Sequence, residues 1–192
     1  MNPHPKLWWY VARSSGLVAW WLVAASVFWG LLLSTRLLKK RPAPAWLLDL
    51  HRFLGALSIV FTGVHLLGLV ADSYTHFGPS DLLVPFASDW RPGAVTWGVI
   101  GLYLLVAIEV TSLFMRRIPR RWWRAVHSSS FVLFVLATVH AFAAGADAGN
   151  TAVQWSAWAM TFVFLFLTTY RQLSGRRGPG ARTARRTPRP SP

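Results

Sequence analysis

The chain has 192 residues, 54% of them hydrophobic, and its apolar runs of about twenty residues exclude a soluble domain of this size. There is no cysteine, which excludes disulfides, thiolate-held zinc and cysteine-ligated iron–sulfur clusters. The net charge is +14, and the basic residues lie between the apolar runs and in the tail. This distribution is typical of a cytoplasmic membrane face, so we expect no nucleic-acid partner.

Five apolar runs predict an all-α, multi-pass membrane bundle with five transmembrane helices. In chain order they cover about residues 15–33, 47–70, 94–114, 124–144 and 153–167. The first run is too long for a signal-peptide core, so we expect it to be retained. The helices define one domain over residues 1–173, and the Arg-, Gly- and Pro-rich residues 174–192 predict a disordered basic tail.

The basic residues predict the orientation of the helices. Arg and Lys follow runs one, three and five, whereas the loops after runs two and four are acidic or neutral. By the positive-inside rule, the N-terminus lies outside and the C-terminus lies in the cytoplasm. The Arg-rich tail is expected to rest on anionic lipid or to contact an acidic partner.

Runs two and four each contain two histidines. His51 and His65 are fourteen residues apart, and His127 and His140 are thirteen apart. Both runs go from inside to outside, and the separations correspond to rises of roughly 21 and 20 Å, so the histidines lie at two matching depths. An ionisable ring inside a bilayer is costly and indicates a functional site by default. Four such rings on two parallel helices predict two haems, one at each depth.

Helix geometry leaves one discrepancy. At about 100° per residue, a step of fourteen returns to within roughly 40° of the same face, but a step of thirteen leaves His127 and His140 roughly 140° apart. A supercoil, a local distortion or different rotamers must close this gap. A single histidine in a membrane helix often has only a structural role, in which it hydrogen-bonds a neighbouring group. This explanation accounts poorly for four histidines at paired depths. Zinc is a weaker rival because each depth offers only two histidines.

Small residues flank the histidines, namely Gly55, Gly63, Gly68, Ala137 and Ala141. A macrocycle wedged between helices requires small side chains around it. Gly and Ala are also common at ordinary helix contacts in membranes. Both explanations stay open at each position.

Three charged residues lie close to or within the apolar runs. Arg52 follows His51, and Arg124 lies one turn before His127, where the propionates of an inner haem would emerge. A guanidinium pairs well with a carboxylate, although both arginines also fit as ordinary positive-inside residues. Glu109 lies within the third run. Pairing with an arginine, sensing haem charge, carrying a proton and a neutral hydrogen-bonded state all stay open for it.

These motifs resemble the ferric reductase-like transmembrane domain, a superfamily of ferric reductases, NADPH oxidases and the haem-binding membrane subunit of the bacterial periplasmic methionine sulfoxide reductase system. The resemblance covers about residues 10–173. It lies in LDLHRFLG (48–55), FTGVH (61–65), RRWWRAVHSSSFVLF (120–134) and VHAFAAGAD (139–147). PFASDWRP (85–92) looks like the outer loop of short bacterial members, such as the methionine sulfoxide reductase subunit.

The resemblance implies two haem b groups, an inner one ligated by His51 and His127 and an outer one ligated by His65 and His140. The thirteen-residue step is itself similar to the oxidase and ferric reductase pattern. The implied function is electron transfer across the plasma membrane, the inner membrane in bacteria, as the redox subunit of a reductase. The direction is from the cytoplasm or the quinol pool to the outer face.

The chain departs from full-length ferric reductases, which continue into FAD and NADPH domains. After Leu173 there are nineteen residues without a Gly-rich βαβ pattern. We therefore expect electrons to come from a separate flavoprotein, another reductase or quinol, with any flavin carried by a partner. Two alternatives stay open: a quinol-linked cytochrome b subunit of a dehydrogenase, and a non-enzymatic membrane module whose histidines are structural.

Overall fold

Helices make up most of the part of the chain that the computed structural model describes, which is residues 6–35, 45–73 and 77–176. In chain order they are α1 (Leu7–Ser34), α2 (Ala45–Ala71), α3 (Pro79–Leu83), α4 (Pro92–Leu113), α5 (Arg120–Ser128), α6 (Ser130–Ala144) and α7 (Thr151–Arg176). These ranges contain no strand.

Five helical segments are long and apolar enough to cross a membrane. They are α1, α2, α4, the combined segment Arg120–Ala144, and α7 over Thr151–Leu173. The predicted all-α membrane bundle with five spans is therefore confirmed, while the orientation of the termini stays a prediction. α7 ends at Arg176, and residues 177–192 of the predicted tail lie outside the described residues.

The spanning helices expose large apolar side chains as well as burying them. On α7, Trp155, Trp158 and Phe162 are each about 70% exposed. A helix that is apolar on all sides is stable where lipid covers its outer face. The exposed aromatic rings therefore mark a lipid-facing surface.

α1 packs against both α6 and α7 through one stripe of side chains. Its buried Trp20, Ala24, Val27 and Leu31 recur at helical spacing and form a core with Phe134, Ala157, Met160 and Leu167. The indole Nε1 of Trp20 also donates a hydrogen bond of 3.0 Å to Thr138 Oγ1 on α6. This core holds α1 beside the segment that carries His127 and His140.

α1 also packs along α2. Gly68 of α2 lies against the backbone of Ala12, since a Cβ added to Gly68 would lie 2.7 Å from Ala12 N and 2.9 Å from Ala12 Cα. Towards the other end, Trp29 Nε1 donates a hydrogen bond of 2.8 Å to the carbonyl of Leu47. The close approach at Gly68 is one that only a residue without a side chain permits.

A break at Ser129 separates α5 from α6, between the two histidines of the fourth span. The Ser129 N–H donates to the Val126 carbonyl, three residues earlier, at 3.0 Å. The Ser129 hydroxyl donates to the same carbonyl at 2.6 Å. A 3₁₀ turn rotates about 120° per residue instead of 100°, so it narrows the azimuthal gap between His127 and His140. This local distortion closes part of the gap that the thirteen-residue step leaves.

The loop between α2 and α4 contains the short helix α3 and packs on α4. Phe77 and Leu82 are buried against Val95 and Val99 of α4. Asp81 accepts a hydrogen bond of 2.8 Å from the Gly78 N–H, which caps α3. Residues 77–91 of this predicted outer loop therefore form an ordered, partly apolar structure.

We expect Gly68→Ala to destabilise the protein by about 1–3 kcal/mol, the usual cost of overpacking, because the backbone of Ala12 blocks the added methyl group. Gly63→Ala on the same helix is the control, since a Cβ there has no neighbour within 4 Å. Thermal unfolding in detergent measures both variants. Equal unfolding midpoints for the two would disprove the close contact at Gly68.

Candidate functional site

The structure brings the four predicted histidines together in two pairs. The ring centroids of His51 and His127 are 5.9 Å apart, with an interplanar angle of 83°. Those of His65 and His140 are 6.4 Å apart, with an angle of 76°. These are the pairs expected at two matching depths, and they require α2 and the α5–α6 segment to run in the same direction.

The spacing within each pair fits a metal held between two imidazoles. A ligating imidazole nitrogen lies about 2.0–2.1 Å from its metal, so two opposed rings on one ion have centroids roughly 6 Å apart. Nowhere in residues 6–35, 45–73 and 77–176 do three or more His, Cys, Asp or Glu side chains form a group that could hold a metal ion. A pair of imidazole donors would suit a metal whose other positions a macrocycle fills, and it suits a protein-held zinc poorly.

A cavity of about 290 Å³ lies at the outer pair. His65 and His140 line it, together with Ala137 and Ala141, two of the small residues that the sequence analysis named. This volume is close to the lower end of the range of about 300–1,000 Å³ for small-molecule sites. The outer pair therefore has free space around it as well as two nitrogen donors.

Two glycines make room for the outer imidazoles. A Cβ added to Gly16 of α1 would lie 2.9 Å from His65 Nδ1, and one added to Gly98 of α4 would lie 2.6 Å from His140 Cε1. Such distances are too short for real Cβ contacts, so a side chain at either position would displace the ring. Both glycines also line the cavity.

A third glycine lies against an inner imidazole. A Cβ added to Gly30 of α1 would lie 3.2 Å from His51 Cε1. Gly16, Gly30 and Gly98 were not among the predicted site residues. The first two had a detectable signal, because their separation of fourteen residues equals that of His51 and His65. No comparable spacing indicated Gly98.

The glycines of α2 that flank the histidines in the sequence do not lie against imidazole rings. The nearest atoms to a Cβ on Gly55 belong to the carboxyl group of Glu109 on α4, at 2.5 Å, and those nearest Gly68 belong to Ala12. Gly63 has no neighbour within 4 Å. Gly55 and Gly68 thus serve contacts between helices, the second of the two explanations that the sequence left open. The chemical role of Glu109 stays a prediction.

The outer histidines donate hydrogen bonds to helix carbonyls. His65 Nδ1 lies 2.7 Å from the carbonyl oxygen of Ala12, and His140 Nδ1 lies 2.8 Å from that of Ala94. A carbonyl oxygen only accepts, so each Nδ1 carries the proton. The lone pair of each Nε2 is then available to a metal, the usual arrangement of a ligating histidine.

The predicted arginines lie at the surface. The Arg52 side chain is 60% exposed and lies 3.4 Å from Asp49 Oδ1. Arg124 is also exposed. Beside the inner pair, the indole of Trp123 stacks on the ring of His127, with centroids 5.0 Å apart. The predicted role of the two arginines towards haem propionates stays a prediction.

An ion pair that the sequence analysis missed lies beside the cavity. Arg13 Nε donates to Asp147 Oδ2 at 2.6 Å, and Nη2 donates to Oδ1 of the same carboxylate. The guanidinium also lies 4.9 Å from the Trp9 ring centroid. The pair joins α1 to the α6–α7 loop, and both residues line the cavity. No sequence signal links them, because they are 134 residues apart.

Comparison with known protein families gives a match over most of the chain. A family model described as ferric reductase like transmembrane component matches residues 15–138. This range contains His51, His65 and His127 and ends two residues before His140. No curated protein and no solved structure gives a significant match. The narrower similarity to the methionine sulfoxide reductase subunit therefore stays a prediction.

We expect Asp147→Asn to lower the free energy of unfolding by about 1 kcal/mol at neutral pH. The hydrogen bond from Arg13 lowers the pKa of Asp147 in the folded protein. The ion pair therefore contributes fully above the usual Asp pKa of about 3.9, and its contribution is lost as the pH falls through the lowered value. Unfolding midpoints measured against pH should show the wild type and the variant converging in acid.

The control for this experiment is Asp49→Asn. The Asp49 side chain is 69% exposed, and its contact with Arg52 is long. This variant should match the wild type at every pH, since exposed ion pairs contribute little. A gap between wild type and Asp147→Asn that stays constant on acidification would show that the ion pair is not its cause.

Proposed function

The chain belongs to the family of ferric reductase-like transmembrane components, and from this premise we propose that it carries electrons across the membrane through two haems b. Membership of the family makes the chain a membrane redox component. The observation that supports the finer proposal is the two imidazole pairs, with centroids 5.9 and 6.4 Å apart. Each pair joins the same two spans at a different depth.

In this proposal, His51 and His127 hold the inner haem, and His65 and His140 hold the outer one. A haem with two imidazole ligands has no open coordination position, so it exchanges single electrons and does not bind a substrate at iron. The donor set, the Nδ1 hydrogen bonds of the outer pair and the glycines against three of the rings all fit such a group.

The rise of α2 sets the distance between the two proposed haem sites. The fourteen residues of α2 between His51 and His65 span roughly 21 Å, most of the apolar thickness of a bilayer of about 30 Å. Buried apolar side chains such as Leu105 and Leu133 pack together between α4 and α6. The chain therefore serves as a fixed scaffold that holds two redox groups near opposite membrane faces.

The proposal includes an electron donor, because a haem held by two histidines only passes electrons on. The donor is then a flavoprotein, another reductase or a quinol. Electrons leave at the outer face, where Arg13, Asp147 and the loop that contains α3 surround the outer cavity.

We expect the purified full-length protein to contain about two haems b per chain, seen in the dithionite-reduced minus oxidised spectrum. His65→Ala and His140→Ala should each remove about half of the haem signal, because each deletes one axial ligand of the outer site. His51→Ala and His127→Ala should each remove the other half. A pyridine haemochrome assay measures the stoichiometry.

His76→Ala is the matched control, because His76 lies outside the apolar runs. It should retain the full signal. A folded wild-type protein that takes up no haem, even with haem supplied during expression, would refute the proposed function. That outcome would favour the alternative in which the histidines are structural.

A further inference from the structure

The two histidine pairs differ in the contacts of their Nδ1 atoms. At the outer site, both Nδ1 atoms lie within 2.8 Å of a backbone carbonyl oxygen, Ala12 O for His65 and Ala94 O for His140. These distances lie inside the usual range of about 2.7–3.2 Å for N–H···O bonds. Both Nδ1 atoms of the outer pair thus have well-formed hydrogen bonds, which leaves both Nε2 atoms available as metal ligands.

Each of these bonds depends on a glycine. The glycine lies four residues after the carbonyl, Gly16 after Ala12 and Gly98 after Ala94. In an α-helix the carbonyl of residue i and the side chain of residue i+4 lie on the same face, so a side chain there covers the carbonyl. An added Cβ would meet the ring at 2.9 Å for Gly16 and 2.6 Å for Gly98. The missing side chain is what lets each ring reach its carbonyl.

The inner pair has this arrangement at one histidine only. His51 lies against Gly30, four residues after Ser26, and contacts the Ser26 backbone. Its Nδ1 is also 3.4 Å from the Ser26 hydroxyl, a longer contact than those of the outer pair. His127 Nδ1 is buried and has no hydrogen-bond partner among the residues that the structure describes. The inner imidazoles therefore have weaker hydrogen-bond support than the outer ones.

We propose that the two carbonyl–glycine units, Ala12–Gly16 and Ala94–Gly98, position the outer histidines and make the outer haem harder to reduce than the inner one. A hydrogen bond from Nδ1–H to a carbonyl raises the basicity of the ligating Nε2. A more basic ligand stabilises ferric iron more than ferrous iron and so lowers the reduction potential. This inference rests on the proposed function, since it concerns the haems that the histidines would hold.

The first test compares the two sites in the full-length protein. Potentiometric titration should resolve two haem midpoints. His65→Ala, which leaves the inner site intact, should remove the lower midpoint, and His51→Ala should remove the higher one. Equal midpoints, or the reverse assignment, would overturn the proposal.

The second test examines the cause. Gly16→Ala and Gly98→Ala push the outer rings away from their carbonyls, and each should shift the ferric-to-ferrous equilibrium of the outer haem about tenfold towards the ferrous form, about 59 mV for one electron. The inner midpoint should not change. Selective loss of the outer haem would also support the proposal, because it shows that ring placement depends on the glycine.

Gly63→Ala is the control in the same region of α2, since an added Cβ there meets nothing within 4 Å. It should leave both midpoints unchanged. Two retained haems with an unaltered outer midpoint in both Gly16→Ala and Gly98→Ala would disprove the inference. A wild-type protein without haem would instead refute the proposed function, so the two failures are distinguishable.

Discussion

An imidazole N–H inside a bilayer requires an acceptor within the protein, because the lipid offers no hydrogen-bond partner. At the outer site, Nδ1 of each ring meets a helix carbonyl, and the two ring centroids are 6.4 Å apart. This requirement explains why α1 and α4 lie where they do. Neither helix carries a predicted ligand, yet each contributes a carbonyl and a glycine to a histidine of another helix.

The same requirement accounts for much of the small-residue pattern. Gly16 and Gly98 admit a ring edge to the backbone, and Gly68 lets α1 and α2 approach closely enough for Ala12 to reach His65. Without a hydrophobic driving force between helices in lipid, close packing of this kind is what holds a membrane bundle together. Packing of the bundle and placement of the candidate ligands therefore depend on the same contacts.

The two membrane faces of the bundle differ in character. At the outer face, the Arg13–Asp147 ion pair and the loop with α3 lie around a cavity. Beside the inner pair, Trp123 stacks on His127 and the nearby Arg124 is exposed. In the proposed orientation, these exposed basic residues lie on the side of the cytoplasmic electron donor.

The sequence by itself determined the helical class, the number of spans and the two histidine pairs, because long apolar runs and a fixed rise per residue act within single segments. Local geometry also indicated that the thirteen-residue step needs a distortion, and the break at Ser129 provides one. Only the tertiary structure decided which residues surround the rings. Gly98 against His140 and Arg13 with Asp147 join distant parts of the chain, and such contacts depend on how helices pack, which no spacing within one helix encodes.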